Sequence, residues 1–157
     1  RLRRCPSLEV EIHQTDGSHW PAFEPHYYLK LNPMPNSAYY VGRVNGEDVA
    51  HVAFSPRPGL TEIRASRLVV MPEWQGAGIG LRFLNELAAL WRRGVNRWDR
   101  PMPTLFHTSH PGLAAALRRD PLWAQTSAAL HSATKKPLKY GGHFRPVQGF
   151  RYIEGME

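Results

Sequence analysis

The sequence predicts an α/β protein with one mixed, mostly antiparallel sheet and helices packed against it. Residues 38–54 read as two strands joined by Asn45-Gly46, residues that suit the left-handed positions of a type I′ hairpin turn. Residues 64–93 read as a strand, a glycine-rich turn and an amphipathic helix. A chain of 157 residues, 42% of them hydrophobic, can bury one core, so residues 1–157 are treated as a single domain.

The elements before the hairpin carry weaker patterns. Alternation over residues 8–13 predicts a first strand. Residues 16–29 predict a short helix that Asp16 or Ser18 caps and that two prolines keep broken. Residues 32–37 contain two prolines and two asparagines, so we expect a loop there.

After the hairpin, strands and helices alternate. A strand over residues 64–71 leads into the glycine-rich turn, and a helix from about residue 77 to residue 93 stops at Gly94. Residues 104–108 form a short strand, and Ser109 caps the helix that follows it. The apolar stripe of the first of these helices comprises Ile79, Phe83, Leu87, Leu90 and Trp91.

The last part of the chain is harder to assign. Residues 125–143 are polar and receive no element, and residues 144–153 predict one or two final strands. The predicted order is therefore β, α, β, β, β, α, β, α, β, a mixed sheet with helices packed on it.

The glycine-rich turn, Gln75 to Gly80, is the most specific motif in the chain. A nucleoside-triphosphate loop needs Lys and then Ser or Thr after its last glycine, whereas Leu81 and Arg82 follow here, so that class is excluded. A dinucleotide fingerprint also fits poorly, because its third glycine would fall at Leu81. The turn does fit Q/R-x-x-G-x-G/A, in which small residues let the backbone N–H groups of a helix start bind a pyrophosphate.

Leu68-Val69-Val70-Met71-Pro72 stands directly before this turn. With it, residues 67–90 resemble motif A of the GNAT acyltransferases, and the hairpin before and the strand and helix after extend the resemblance over residues 8–123. It implies a GNAT-like fold with splayed central strands and an acyl-CoA-dependent N-acyltransferase, with acetyl-CoA as the default donor. The alternative is a glycine-rich turn that binds nothing.

The resemblance also implies which residues hold the donor. The pantetheine arm would pair with backbone groups of Val69 and Val70, where strands 64–71 and 104–109 splay apart. The pyrophosphate would lie on the N–H groups of the turn, and Gln75, in a place often held by Arg, would add a neutral hydrogen bond. The full implied set is Leu68, Val69, Val70, Gln75, Gly76, Ala77, Gly78, Ile79 and Gly80.

In this family an amine usually attacks the thioester directly, which requires a base and an acid. The family's Glu on the motif A strand corresponds to Arg64. Strand alternation predicts that Glu62, Arg64, Ser66, Leu68 and Val70 share one face. Glu62 is then a substitute base, or simply a partner of Arg64, and Ser66 is a candidate contact to water or substrate.

The family's acid is often a Tyr in the helix after the next strand, but residues 112–123 contain none. Ser109 and His110 stand where that strand meets the helix and are candidates, with a plain N-cap and a solvated first-turn residue as the alternatives. His26 is a further candidate within an aromatic stretch that can equally pack on the sheet. His107 and His110 are three residues apart, but the strand-to-helix break between them spoils helical spacing, so no metal site is predicted.

The acceptor is suggested by a looser resemblance. Residues 25–28, 66–70 and 108–111 look like a phage- and mobile-element-associated GNAT branch that is similar to Mom-type proteins, which modify DNA bases. The acceptor would then be a nucleobase or a related small molecule. The aromatic residues available for stacking on a base, or alternatively for the core, are Trp20, Tyr27, Trp98 and Trp123.

Charge and composition constrain partners and location. The net charge of +7 and the pI near 10.0 fit an ordinary basic surface or one that attracts a CoA 3′-phosphate, a nucleotide or nucleic acid. Neither an apolar run of ~18 residues nor a secretory pattern is present, and Cys5 is the single cysteine. We therefore expect a soluble, cytoplasmic protein without a membrane partner.

Three functions follow from these observations. The first is acetyl transfer from acetyl-CoA to an amine on a small molecule or a protein. The second is a Mom-like DNA-base-modifying enzyme on the same scaffold, and the third is a nucleic-acid-binding module with a degenerate CoA site.

Overall fold

The structure is a computed structural model that describes residues 8–27, 36–131 and 145–154. The strands are β1 Glu11–Thr15, β2 Ala38–Val44, β3 Glu47–Pro56, β4 Ile63–Val70, β5 Thr104–Thr108, β6 Trp123–His131 and β7 Arg145–Tyr152. The helices are α1 Trp20–Phe23, α2 Ile79–Arg92 and α3 Pro111–Arg119, and short 3-10 turns cover Gly17–His19, Glu24–His26 and Pro72–Trp74. Within these ranges, every helix is too short or too polar to cross a membrane.

The strands form a single sheet in the order β1-β2-β3-β4-β5-β7-β6. Every neighbouring pair is antiparallel except β4 and β5, which are parallel. This confirms the predicted mixed, mostly antiparallel α/β fold. The β4–β5 ladder runs from Ile63–Thr104 only to Ala65–Phe106, and beyond that pair the described parts of the two strands separate. The predicted splay of the central strands is therefore present.

The sheet has two different faces. Helices α2 and α3 cover one face, where Phe83, Leu87 and Trp91 of the predicted α2 stripe are buried. Trp91 stacks on Phe54 of β3 with ring centroids 5.5 Å apart. On the opposite face, Trp20 and Phe23 of α1 pack against Val41 and Val69, which covers only the β2–β4 half of that face.

The local turn predictions near the N-terminus are confirmed. Asn45 and Gly46 have φ of 51° and 80°, as a type I′ turn requires. Asp16 caps the turn before α1, since its Oδ1 accepts a hydrogen bond from the Ser18 backbone N–H at 2.9 Å. The first strand lies at 11–15 rather than 8–13. Tyr28, Leu29 and Cys5 lie outside the described residues.

The expected alternation along β4 is wrong beyond Ser66. Arg67 adopts a left-handed φ of 55°, and the β3 register moves from Ala53–Ser66 to His51–Val69, so β4 contains a bulge. The extra residue reverses the alternation. Glu62, Arg64 and Ser66 therefore do not share a face with Leu68 and Val70, which pack toward the α2 core.

Three assignments in the C-terminal half are also corrected. The cap of α3 is His110 rather than Ser109, because His110 Nδ1 accepts a hydrogen bond from the Leu113 N–H at 3.1 Å. That helix ends at Arg119, and Trp123 begins β6, a strand that the polar sequence concealed. The final segment, predicted as one or two strands, is the single strand β7, in agreement with that prediction, and Phe144 lies outside the described residues.

Candidate functional site

The glycine-rich turn joins the end of β4 to the start of α2. Gly76 and Gly78 have φ of 84° and 75°, and Gly78 is the N-cap of α2 with no side-chain cap hydrogen bond. A Cβ built at either glycine would meet no atom within 4 Å, so the space above the turn is open. The first backbone N–H groups of α2 therefore face a cradle that an anionic group can enter, which the helix dipole favours.

The remaining residues of the turn fix its position. Ile79 is buried and anchors the first turn of α2 in the core, while Gln75 and Ala77 are exposed. A Cβ at Gly80 would lie 3.1 Å from Val70 Cγ2, so this glycine lets the helix approach the strand closely. Gln75 Nε2 donates to the Val70 carbonyl at 2.9 Å. Gln75 thus links the turn to the end of β4, and this bond uses one of the two hydrogens of its amide group, which leaves the second for the expected contact to a pyrophosphate.

A gap leads from this turn into the sheet. The stretch of β4 that contains Val69 and Val70 pairs with β3 but has no ladder pair with β5 in the described chain. An extended, amide-bearing chain can hydrogen-bond to such a strand edge. The gap closes at the Ala65–Phe106 pair, which places the vertex of the splay midway along β4.

The sequence-predicted catalytic residues do not form one cluster. Glu62 Oε1 forms an ion pair with Arg151 Nη1 of β7 at 2.8 Å and stands just before β4. His110 stands just after β5, and its Nδ1 already accepts the hydrogen bond that caps α3. Because β4 and β5 are parallel, these two residues lie at opposite ends of the pair, roughly 20 Å apart at about 3.3 Å per residue.

The other three candidates differ in their surroundings. Ser66 is half-buried on β4, next to the splay vertex and on the face away from α2. Ser109 is half-buried at the end of β5, and His26 is exposed in the 3-10 turn after α1. Ser66 is the predicted catalytic residue that the structure places at the vertex.

His107 lies at the vertex, and the sequence reasoning weighed it only as a metal ligand and missed it as a catalytic candidate. Phe106 faces the α2 and α3 core, so its neighbour His107 faces the opposite side of the sheet, the side of Ser66. Its Nδ1 is buried and has no hydrogen-bond partner among the described residues. The available signal was alternation along β5, which separates His107 from the buried Phe106.

The imidazole of His107 rests on the backbone of β7. His107 and Gly149 are directly opposite each other, and a Cβ on Gly149 would overlap Ser127 Oγ and lie 2.8 Å from His107 Nε2. Burial lowers the pKa of His107 below its usual value, and the positive charges of Arg64 and Arg57 lower it further. The ring is therefore neutral at pH 7 and can accept a proton.

Two aromatic residues of α1 pack against the sheet. Trp20 and Phe23 are buried, with ring centroids 4.9 Å and 5.2 Å from the ring of His51. Arg67 lies over Trp20 at 5.3 Å. Trp123, like Trp20, is buried, so neither is accessible for stacking on a base, while Trp98 lies under the Arg97 guanidinium at 4.2 Å.

His51 makes the stability of this region depend on pH. Its Nδ1–H donates to the Arg67 carbonyl at 3.1 Å, and burial, followed by the charges of Arg67 and His19, lowers its pKa to about 4. The unfolded chain takes up the proton near pH 6.5, so the contribution of His51 is present above pH 6.5 and is lost as pH falls toward 4.

We expect this loss to reach about 3 kcal/mol in the free energy of unfolding, from ~1.4 kcal/mol per pKa unit. Urea unfolding between pH 7.5 and pH 4 measures it. His51→Gln keeps an N–H donor for the Arg67 carbonyl without the titration, and its stability should vary less with pH. An equal pH dependence in both proteins would contradict this assignment.

Comparison with known proteins decides the family. A family model described as an acetyltransferase (GNAT) domain matches residues 35–117, just over half of the chain. The chain belongs to the GNAT acetyltransferase family. The match spans β2 to α3 and includes the splay, the glycine-rich turn and His107. The predicted superfamily and the enzyme class, an N-acetyltransferase, are thereby confirmed. No curated protein sequence matches the chain significantly.

Solved GNAT structures share the fold at low identity. The ribosomal-protein-S18-alanine N-acetyltransferase of Escherichia coli matches with a TM-score of 0.65 and 15% identity over 92% of this chain and 93% of that chain. A variant of the spermidine N-acetyltransferase SpeG of Vibrio cholerae gives 0.69 and 8% over 90% and 92%. A GNAT acetyltransferase of Elizabethkingia anophelis with acetyl-CoA bound gives 0.59 and 12% over 91% and 97%.

Proposed function

We propose that this GNAT protein transfers the acetyl group of acetyl-CoA directly to an amine at the vertex of the splay between β4 and β5. The observation that carries the proposal is a path for the donor along β4, since the stretch without a described β5 ladder pair runs from the Ala65–Phe106 pair to the turn at the N-terminus of α2. One end of this path suits a pyrophosphate and the middle suits an extended chain. Its closed end meets His107 and Ser66.

The chain's own residues fit the donor as follows. Backbone N–H groups from Gly76 to Gly80 would hold the pyrophosphate, since both positive-φ glycines border open space. Backbone groups of Val69 and Val70 would hold the pantetheine arm. Leu68, which is half-buried, would border the same gap. Acetyl-CoA supplies an acyl group that is activated as a thioester.

At the vertex, the acceptor nitrogen forms a bond to the acyl carbon as the carbon–sulfur bond breaks, and the nitrogen loses one proton. His107 is our candidate for accepting that proton. Its ring is neutral at pH 7, and its position on Gly149 holds the ring against the sheet. His107 would then pass this proton to the departing sulfur, which leaves as the CoA thiol, so that the reaction balances. Ser66, on the same side of β4, would contact the acceptor or a water molecule.

The named relatives leave the acceptor class open. One acts on an alanine of a ribosomal protein and another on spermidine, so the same fold serves very different amines. In the DNA-base alternative, aromatic rings would stack on the base. Trp20 and Trp123 are buried. We therefore favour a smaller amine, and DNA is one arm of the test below.

Thermal unfolding with acetyl-CoA tests the proposal. With acetyl-CoA at ~100 times its dissociation constant, we expect a stabilisation of about 2.7 kcal/mol and a rise in Tm of roughly 5–10 °C. ATP at the same concentration is the control, because the turn lacks the Lys of a nucleotide loop. Release of CoA thiol is then measured with small amines, a lysine peptide and DNA as acceptors.

Each outcome of this experiment is informative. A shift with acetyl-CoA and thiol release with an amine support the proposal. The absence of both a thermal shift and any hydrolysis of acetyl-CoA would overturn the proposal. Thiol release with DNA, together with a mass change in its nucleosides, would replace it by the base-modifying alternative.

A further inference from the structure

A cavity of about 640 Å³ lies at the C-terminal end of α2, between that helix, the segment before β5 and the end of β7. It is roughly 20 Å from the glycine-rich turn, because α2 has 14 residues and rises about 1.5 Å per residue. We infer that this cavity is a second binding site, for a small dipolar molecule that carries a carboxylate and an ammonium group on an apolar frame. The inference does not depend on acetyl transfer.

The last turn of α2 forms the basic wall of the cavity. Arg92 and Arg93 stand three and four residues after Ala89, so both are neighbours of its small side chain on the helix surface. Within the part of the chain that the structure describes, neither arginine forms an ion pair. Guanidinium groups bind a carboxylate with parallel hydrogen bonds, so this wall can orient the acidic end of a ligand.

The segment before β5 forms an apolar wall that is fixed in position. It consists of Pro101, Met102 and Pro103, of which Met102 is fully buried. The Met102 N–H donates to the Trp91 carbonyl at 2.9 Å, which joins the segment to the end of α2. A Cβ on Gly94 would lie 3.1 Å from the Pro101 nitrogen, so the chain returns close to the helix. This wall suits the hydrocarbon part of a ligand.

The end of β7 forms the acidic wall. The Tyr152 hydroxyl donates to Glu154 Oε2, which leaves Oε1 of the same carboxylate to accept a hydrogen bond from an ammonium group. Burial raises the pKa of Tyr152, and its hydrogen bond to Glu154 raises it further. The negative charges of Glu154, Glu86 and Asp120 act in the same direction. The potential on this side of the cavity is therefore negative.

The two charged walls determine the class of ligand. A carboxylate is attracted to the arginines and repelled by Glu154, and an ammonium group experiences the reverse. A molecule with one charge therefore gains at one wall only, whereas a dipolar molecule gains at both in a single orientation. The volume lies within the range of small-molecule sites. Glu157 follows Glu154 by three residues and lies outside the described residues, so the experiment includes it.

The experiment compares four small compounds by NMR of the protein labelled with ¹³C at the methionine methyl groups, without acetyl-CoA. Leucine and 5-aminopentanoate are dipolar, whereas pentanoate and pentylamine each carry one of the two charges. The Met102 signal, assigned with Met102→Leu, reports binding. We expect the better dipolar compound to have a dissociation constant at least about tenfold below those of pentanoate and pentylamine, which each lose one charge-assisted contact. Equal dissociation constants, or an unchanged Met102 signal, would overturn the inference.

Charge variants test each wall separately. Arg92→Gln should weaken the binding of the dipolar compound and of pentanoate but not of pentylamine, and Glu154→Gln should weaken the binding of the dipolar compound and of pentylamine but not of pentanoate. Arg119→Gln removes a charge from the exposed last turn of α3 and should leave all four dissociation constants unchanged. Glu157→Gln should have a smaller effect than Glu154→Gln. An equal or larger effect would contradict the role of Glu154.

A second methionine separates this site from the donor site. Met71 lies between the end of β4 and the glycine-rich turn, so acetyl-CoA should shift its signal and the dipolar compound should not. Ala89→Leu places a larger side chain in the cavity and should abolish the Met102 response to the dipolar compound, while acetyl-CoA still shifts Met71. A Met102 response that persists in Ala89→Leu, or a dipolar compound that shifts Met71 instead, would overturn the inference.

Discussion

Replacing Gly78 by Val is expected to raise the dissociation constant of acetyl-CoA about 100-fold or more. Gly78 has φ of 75° at the N-cap of α2, a conformation that costs a β-branched residue roughly 1–2 kcal/mol. The variant relieves this strain by turning the first N–H groups of α2 away from the pyrophosphate. Losing one or two hydrogen bonds to a charged group, at ~1.5–3 kcal/mol each, accounts for the expected factor.

Gly59→Val is the matched control for this variant. Gly59 also has a positive φ, 90°, and a Cβ there would meet no atom within 4 Å. It lies in the turn between β3 and β4, at the opposite end of β4 from the glycine-rich turn. Both variants should lose similar stability in urea, but only Gly78→Val should lose binding in calorimetry. Equal affinity of the two variants for acetyl-CoA would show that the glycine-rich turn does not bind it.

Replacing His107 by Gln is expected to lower kcat about 100-fold while the KM for acetyl-CoA stays within about twofold, since a positioned base typically contributes ~10²–10⁴ in rate. Gln is close to His in size but cannot accept a proton at neutral pH. Steady-state kinetics with a saturating amine measure the effect. A variant with unchanged kcat would show that another group takes the proton.

The pH profile distinguishes a catalytic His107 from a structural one. In the proposed mechanism the neutral ring is the active form, and burial together with Arg64 and Arg57 lowers the pKa of His107. The acid limb of kcat/KM, which reports the free enzyme, should therefore lie below pH 6.5, and Arg64→Gln should move it toward higher pH, because one of the charges that depress the pKa is removed. An acid limb that stays in place in Arg64→Gln would contradict this role.

Gly149→Ala tests how the ring is held. Its Cβ would lie 2.8 Å from His107 Nε2, so the imidazole must move, whereas Ser127 can rotate its exposed hydroxyl away. We expect a lower kcat at nearly unchanged affinity for acetyl-CoA. Ser127→Ala, which alters the neighbouring side chain without displacing the ring, should keep kcat near that of the original protein.

The parts of the fold that were predictable depend on local chemistry. Asn45-Gly46 specifies its hairpin because both residues tolerate positive φ, and the glycine-rich turn specifies the strand, turn and helix around it for the same reason. The apolar stripe of α2 follows from helical periodicity. In each case the signal lies within about 20 residues of sequence, so neighbouring residues determine the structure.

The parts that were missed depend on contacts between distant segments. The bulge at Arg67 requires that one β3 residue faces two β4 residues, and no local pattern around Arg67 indicates it. Strand β6 is polar because much of it is exposed, and its pairing with β7 comes from across the sheet. His107 becomes a candidate only once Gly149, Arg64 and the splay are placed around it.

The most direct test of the central claim is an NMR titration of the ¹⁵N-labelled protein with acetyl-CoA, following every backbone amide. We expect the largest shifts at Gly76, Gly78 and Gly80, with further shifts at Val69 and Val70 and at His107. Shifts confined to another surface, such as the 640 Å³ cavity between Arg92, Met102 and Tyr152, would contradict it. So would a spectrum that acetyl-CoA leaves unchanged at millimolar concentration.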